Sequence, residues 1–448
     1  MGDIIIINLR YGVFKVSRIT MDFTQEIGTI KPMHGVGQPP FTGIDFSMCD
    51  YLKEAHIPYS RLHDVGGSFG GNLYVDIPNL FRDFSRDPED PESYDFAFTD
   101  LLINALVERG IEPFFRLGVT IENHRKIKAY RIDPPSDYEK WARICEGVIR
   151  HYTEGWANGF NYKITYWEIW NEPDNFESPE ENQMWAGTPE DYYRLYEVAS
   201  KHLKERFPHL KIGGYASCGF YAITDSQTNV GACSPRYQYF IDFLDGFLEY
   251  IKAHNCPLDF FSWHSYADIE ANLQWAIYAR KRLDDAGYKN TEHTLNEWNF
   301  HPELKGTIRH AALTCGMLLA LQGTSLDSAM FYDARCNMGI YAGLFDCVSF
   351  KPLPTYYSFV AFGELYKRSK QIQIGELPEG VYACASRDAD GCIVMANVTE
   401  EEKAIELDLI GVKHITECKI ITDGAVWEDY EFKSKFPAES VIFIKVKL

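Results

Sequence analysis

The chain has 448 residues, 46% hydrophobic and 24% charged, which are the proportions of a folded protein and not of a disordered chain or a membrane bundle. Its 44 basic and 64 acidic residues leave a formal charge of −20, which repels phosphate backbones and anionic lipid heads and argues against nucleic-acid or membrane partners. The length exceeds one ordinary core and suits a large barrel of about 250 residues or more with a smaller module beside it.

In chain order, Ile4–Leu9 and Val13–Ile19 are strand-like and precede any helix. From residue 31, short β-rich runs alternate with segments of helical period. The strands expected are Pro32–Gly35, Tyr59–His63, Pro113–Leu117, Ile164–Trp170, Leu210–Gly213, Asp259–His264, His293–Asn296 and Ser328–Tyr332. Between them the pattern predicts helices at Phe98–Arg109, Tyr138–His151, Pro189–Arg206, Tyr237–His254, Leu273–Ala286 and Ile308–Leu321. Local punctuation agrees: Gly110 follows a helical run and Pro113 opens a strand, while Thr188-Pro189-Glu190 reads as an N-cap with proline in the first turn. Alternating β and α units define an α/β fold, a (β/α)8 TIM barrel over residues 31–368.

After Lys370 the texture changes to strands without helices: Val381–Ser386, Cys392–Val398 after an Asp390-Gly391 turn, Ile405–Leu409, Cys418–Ile421 and Val441–Val446. Residues 369–448 therefore read as an accessory antiparallel β-sandwich, which the strands within 1–30 are expected to join. The longest apolar stretch, Ala311 to Leu321, falls short of the ~20 residues a membrane span needs. The start, MGDIIIINLRYGVFK, lacks the order of a signal peptide. Eleven scattered cysteines without a C-x-x-C pair read as reduced thiols. Together these point to a cytoplasmic protein.

In such a barrel the chemistry belongs at the carboxyl ends of the strands. ITYWEIWNEPD (164–174) runs a strand of aromatic and β-branched residues into Asn171-Glu172, and HTLNEWN (293–299) delivers Glu297. These acids, on the fourth and seventh strands, can face each other across the mouth. A carboxylate pair serves glycoside hydrolysis, one member giving a proton to the leaving oxygen and the other attacking the anomeric carbon. Glu168 shares the parity of Glu172 and so points into the barrel, where it needs a cation; Arg61, at the end of the second strand, is the candidate, as a structural pair, a support for the acids, or both. His63, Asn171, His264 and Tyr266 add hydrogen-bonding groups at the same level, Asn171 for a sugar hydroxyl and Tyr266 for the nucleophile's second oxygen. The scattered His and Cys offer no metal-ligand spacing.

YSRLHD (59–64), WEIWNEPD (167–174), DFFSWHSY (259–266), TLNEWN (294–299) and KPLPTYYSF (351–359) carry a resemblance. In their order and spacing the chain resembles family 39 of the glycoside hydrolases, the group of β-xylosidases and α-L-iduronidases. The resemblance implies a retaining mechanism with Glu172 as acid/base and Glu297 as nucleophile, and a barrel joined to a β-sandwich built from both chain ends. Asn171, His63 and Tyr266 match positions that bind the glycone or orient the nucleophile, and His264, Trp298, Tyr332 and Asp333 complete the expected substrate-facing set. It implies no metal or organic cofactor, a glycoside or oligosaccharide as substrate, and a possible homo-oligomer.

The chain departs from the family pattern at Arg116, at Asp64 and at Tyr332-Asp333, where the family often has glutamate, glycine and a nearby tryptophan. Arg116 or Arg335 could receive a substrate carboxylate or pair with a neighbouring acid. The expected activity is that of an exo-acting, β-xylosidase-like hydrolase, with arabinosides, arabinobiose units or uronides as alternative substrates. A non-catalytic sugar-binding barrel and a metal-dependent hydrolase or isomerase are the rival classes.

Overall fold

A computed structural model describes residues 16–43, 45–65, 75–121, 131–224, 235–336 and 338–448. Eight parallel strands close a barrel in sequence order: β2 (Gly35–Gly37), β3 (Tyr59–Leu62), β4 (Glu112–Leu117), β5 (Tyr166–Ile169), β6 (Lys211–Ser217), β7 (Phe260–Ser265), β8 (Glu292–Trp298) and β9 (Ser328–Phe331). Each overlaps a strand expected from sequence. The first is displaced toward its C-terminus, because closure depends on glycine: a Cβ on Gly35 would sit 2.9 Å from the Ala329 carbonyl oxygen of β9.

The strands are buried on both faces, as parallel strands sheathed by helices must be. Inside, Phe114, Phe260 and Met330 pack with Tyr59 and Tyr166 to plug the lower end, so polar residues can occupy the upper layers. Outside, Phe115, Trp167 and Ile169 pack into the shell of helices. That shell is α1 (Cys49–Glu54), α2 (Ile77–Leu80), α3 (Ala97–Val107), α4 (Tyr138–Glu154), α5 (Pro189–Arg206), α6 (Pro235–Ala253), α7 (Ile269–Ala286), α8 (Ile308–Gln322) and α9 (Pro354–Arg368). Thr188 caps α5 through a reciprocal pair, its hydroxyl accepting from the Asp191 N–H at 3.2 Å while Asp191 accepts from the Thr188 N–H at 2.9 Å. Gly155 and Gly287 end α4 and α7 in the left-handed conformation.

The remaining strands are β1 (Ser17–Thr29), β10 (Lys370–Ile374), β11 (Val381–Arg387), β12 (Gly391–Asn397), β13 (Lys403–Ile410), β14 (His414–Thr422), β15 (Ala425–Asp429), β16 (Lys435–Phe436) and β17 (Ser440–Lys447). They form one sheet in the order β15-β14-β17-β12-β11-β10-β1-β13-β16. The sheet is mixed, since β1 runs parallel to β13 and antiparallel to β10. An element arriving from the far end of the chain is free of the hairpin constraint that makes its neighbours antiparallel. The expected strand Ile4–Leu9 lies outside the described residues, as do the first residues of Val13–Ile19.

The sheet curls over a core of its own, in which Ile19, Met21 and Phe23 of β1 meet Ile393, Met395, Ile442 and Ile444, and also Ile405 and Phe436 from the far limb. The alternate side chains Cys392, Val394, Ala396 and Phe443 belong to the barrel's apolar cluster, reached through α8 and α9. Arg309 of α8 clasps Glu400 and Glu439, and Arg368 of α9 pairs with Asp390 at 2.8 Å. The ten cysteines among the described residues are free thiols. No helix among them is long and apolar enough to cross a membrane.

Candidate active site

The upper barrel is organised by one buried cation. Arg61, at the end of β3 and 1% exposed, pairs with Glu168 of β5 at 2.8 Å, reaches Glu297 at 3.1 Å and donates to the Asn171 side-chain oxygen at 2.5 Å. Burial works to lower its pKa, but Glu168 and Glu297 more than reverse that, so it stays charged. Glu168 is completed by Ser262 and Asn296, each donating at 2.6 Å to the oxygen that Arg61 leaves free. A buried carboxylate thus has donors on both oxygens, which is the condition for keeping a charge there.

Beyond β5 the backbone turns sharply, with Trp170 at φ +72° and Glu172 at φ +43°. Strain of this kind is tolerated where a side chain must be aimed. It brings Glu172 Oε1 to 2.7 Å from His264 Nδ1, and Asn175 donates to the other oxygen at 3.0 Å. Opposite, Glu297 Oε1 accepts from the Tyr266 hydroxyl at 2.5 Å, and its Oε2 faces Arg61 and lies 3.6 Å from His264 Nδ1. A carboxylate oxygen of Glu172, one of Glu297 and a ring nitrogen of His264 lie within 4.8 Å of one another. Among the described residues this is the group whose donor atoms converge as a metal's ligands would, but Arg61 already presents a cation to Glu297, and His264 and Glu172 are joined by a hydrogen bond of 2.7 Å.

Glu297 is aimed by a β-bulge. Between Leu295 and Trp298, β8 spends three residue steps where β9 spends two. Asn296 and Glu297 consequently both face inward, while Leu295 and Trp298 face the outer core. Trp298, expected from the resemblance among the substrate-facing residues, is fully buried with its ring against Phe300 and Phe331.

Burial pushes Glu297 up to about 7, with the charge of Glu172 adding to it and His264 opposing. Burial acts upward on Glu172 too, but the hydrogen bond and charge of His264 hold it below the usual carboxylate range. The charge of Glu297 does not lift Glu172 above that range. The imidazole makes the difference, sitting on Glu172 at hydrogen-bond distance while remaining 3.6 Å from Glu297. The two acids and His264 titrate as a unit.

The other expected residues lie in a connected chain. His63 Nδ1 accepts from Arg116 Nε at 3.2 Å, so its Nε2 carries the proton and meets Asp64 Oδ1 at 3.1 Å. Arg116 is paired at 2.7 Å with Asp76. Asp64 Oδ2 accepts from the Tyr332 hydroxyl at 3.0 Å, and Arg335 binds that hydroxyl at 3.1 Å and the Asp333 carboxylate at 2.5 Å. The positions where the chain departs from the family pattern are therefore joined, Asp76–Arg116–His63–Asp64–Tyr332–Arg335–Asp333. Asp333, expected among the substrate-facing residues, has no exposed surface and is paired with Arg335. Arg116 and Arg335 pair with neighbouring acids, one of the two alternatives open from sequence.

Ser262, Asn296, Asn175, Asp76 and Tyr341 are functional neighbours that the sequence analysis did not single out. Ser262 was within reach of it, two residues before His264 on the same strand face. Asn296 is hidden by the bulge, and Tyr341, whose ring lies 4.7 Å from that of Tyr266, sits in a loop without periodic signal.

A closed barrel with a strand-end carboxylate pair, an arginine clamp and an accessory sheet defines the class of barrel proteins with the two-acid site of glycosidases. Residues 62–293 match the model of glycosyl hydrolases family 39, and the chain belongs to that family. Relatives include β-xylosidases from Geobacillus stearothermophilus, 27% identical over 224 residues, and Caldicellulosiruptor saccharolyticus, 26% identical over 279 residues. The matched stretches are 48% and 60% of this chain but 39% and 51% of those proteins, so the chain aligns with about half their length or less. A glucosidase from Croceicoccus marinus superposes with a TM-score of 0.77 at 20% identity, covering 97% of this chain and 99% of its own. A family 39 β-xylosidase from Caulobacter crescentus gives a TM-score of 0.68 at 16% identity over 97% and 100%. Both likenesses are of fold.

Proposed function

We propose that the protein is a retaining exo-glycosidase that removes terminal sugars from short glycosides, β-xylosidase-like in its substrate. The reading is carried by one observation, the approach of Glu172 and Glu297 to within 4.8 Å across His264. A gap of about 5 Å suits direct attack on the anomeric carbon, whereas about 6.5–9.5 Å would make room for an inverting water. The β-xylosidases among the relatives support the substrate class.

Substrate binding moves onto Glu172 the proton that the two acids and His264 hold between them, and in the first step a Glu297 oxygen attacks the anomeric carbon while Glu172 gives that proton to the departing oxygen. Arg61 and the Tyr266 hydroxyl, one on each oxygen of Glu297, hold it as the carboxylate when the incoming glycoside takes the place of His264 on Glu172. The resulting glycosyl ester is opened in the second step by water. Glu172, now ionised, takes the proton of that water, and Glu297 departs as a carboxylate. Two inversions at one carbon give net retention. Asn171, its oxygen fixed by Arg61, presents its amide nitrogen for a sugar hydroxyl beside the reacting carbon.

A 2-deoxy-2-fluoro xyloside with a good leaving group should add one sugar mass to the protein, and peptide mapping should place it on Glu297. Glu297→Ala should lower turnover of aryl β-xylosides by several orders of magnitude. Labelling elsewhere, or full activity in that variant, removes the assignment. Parallel assays with chromogenic arabinosides and uronides fix the sugar.

A further inference from the structure

The chain of polar groups on the β3, β4 and β9 side of the mouth contains three acids and two cations, and its pairing leaves one acid over. Asp76 and Arg116 neutralise each other out of contact with solvent. Asp333, itself without exposed surface, is neutralised by the partly exposed Arg335, two guanidinium nitrogens converging on one carboxylate oxygen. His63 contributes no charge: its Nδ1 accepts from Arg116, which fixes the neutral tautomer, and burial together with Arg116 and Arg61 pushes its pKa well down. Asp64 is the remainder. It receives His63 Nε2 and the Ile121 N–H on Oδ1, both at 3.1 Å, and the Tyr332 hydroxyl on Oδ2, while Arg335 reaches its backbone carbonyl and not its carboxylate.

Three neutral donors hold this carboxylate rigid, and Oδ2, with one donor, retains an unused acceptor direction. Its side chain is 9% exposed and that of Arg335 20%, whereas those of Asp76, Arg116 and Asp333 show no surface, so Asp64 is the one acid of the sector open to a ligand. Tyr332 links it to the reacting centre, standing edge-on to Tyr266 at 6.4 Å, and Tyr266 holds Glu297. In the same sector Gln38, directly after β2, is fully buried with neither amide atom bonded. A buried amide without partners is uncommon and marks a place where another polar group belongs.

We propose that Asp64 determines specificity for the glycone: its carboxylate accepts a hydroxyl hydrogen bond from a neutral sugar and turns away sugars that carry a carboxylate. The inference rests on the proposed glycosidase function and adds its substrate class. It also decides against uronides, because both arginines that could have received an acid group are already paired with acids and the three acids and two cations of the sector leave one negative charge in excess.

Binding tests this without depending on turnover. Calorimetric titration with neutral aldoses, xylose and glucose, and with glucuronate should show the preferred aldose bound at least about tenfold more tightly than glucuronate. Asp64→Asn should weaken the aldose by about tenfold or more and narrow its margin over glucuronate. Tyr332→Phe, which keeps the charge of Asp64, guards against misfolding of the first variant and should preserve the discrimination against glucuronate. Glucuronate bound as tightly as the aldose, or unchanged aldose affinity in a folded Asp64→Asn, overturns the proposal. If the binding pattern holds while no aryl glycoside is hydrolysed, the glycosidase reading fails and the role of Asp64 in sugar recognition stands.

Discussion

Arg61 answers two carboxylates at once, and this makes it the most vulnerable side chain in the barrel. Its loss would leave Glu168 buried with two neutral donors and no cation, and removal of one partner from a buried pair typically costs about 3–5 kcal/mol. Arg61→Met should therefore lower the melting temperature markedly as well as abolish activity, while Arg61→Lys should recover part of the stability but not the three-way geometry. An unshifted melt in Arg61→Met would show that the charge of Glu168 is compensated elsewhere. Glu297 yields a pH prediction. Burial raises it to about 7, against about 4.3 in an unfolded chain. A carboxyl with the higher value in the folded state binds its proton more tightly there, so its contribution favours folding below the unfolded value and is lost as pH rises through about 7. Glu297→Gln removes that titration. The melting temperature of the variant relative to the parent should therefore climb between about pH 4 and pH 7.5, and a flat or falling difference would contradict the raised value.

At the scale of elements, the bulge in β8 and the close approach of α9 carry the most consequence. Gly363 of α9 lies so near α1 that an added Cβ would stand 2.1 Å from the Ala55 carbonyl oxygen. A backbone atom cannot turn aside as a side chain can, so Gly363→Ala should force the helices apart and cost about 1–3 kcal/mol. A thermal melt equal to the parent's would mean that α9 shifts freely. This helix also shows where the sequence is hard to read. α9 has Leu353 at its N-cap, which offers no capping side chain, and its TYYSFVAF run suits a strand as well as a helix. By contrast Thr188-Pro189 announces α5 to the residue, and the apolar β-branched runs announce the barrel strands. Within the site, Glu168 and Arg61 are legible because strict alternation holds along β3 and β5, and Glu172 because Pro173 marks the strand end just after it. In β8 the same rule does not place the side chains, since one extra residue turns Asn296 and Glu297 to the same side without altering composition or hydropathy.

At the scale of the molecule, barrel and sheet share a core. Val394, Ala396 and Phe443 of the sheet belong to the same apolar cluster as the barrel's helices, and a Cβ on Gly316 of α8 would meet Val398 at 2.8 Å. A chain ended after Arg368 would bare the faces of α8 and α9 and strip Arg309 of Glu400 and Glu439. Residues 31–368 produced alone should aggregate or melt well below the full chain. A monodisperse barrel of parental stability would show that the sheet is an independent appendage. The placement of β1 between β10 and β13 reaches into biosynthesis. Thr20 of β1 bonds Asp408, 388 positions away. At roughly 5–20 residues per second of translation, β1 leaves the ribosome about 20–80 s before its partner exists. Ile19, Met21 and Phe23 spend that interval uncovered. The nascent barrel thus carries a sticky leading edge that a chaperone could shield until the final strands emerge.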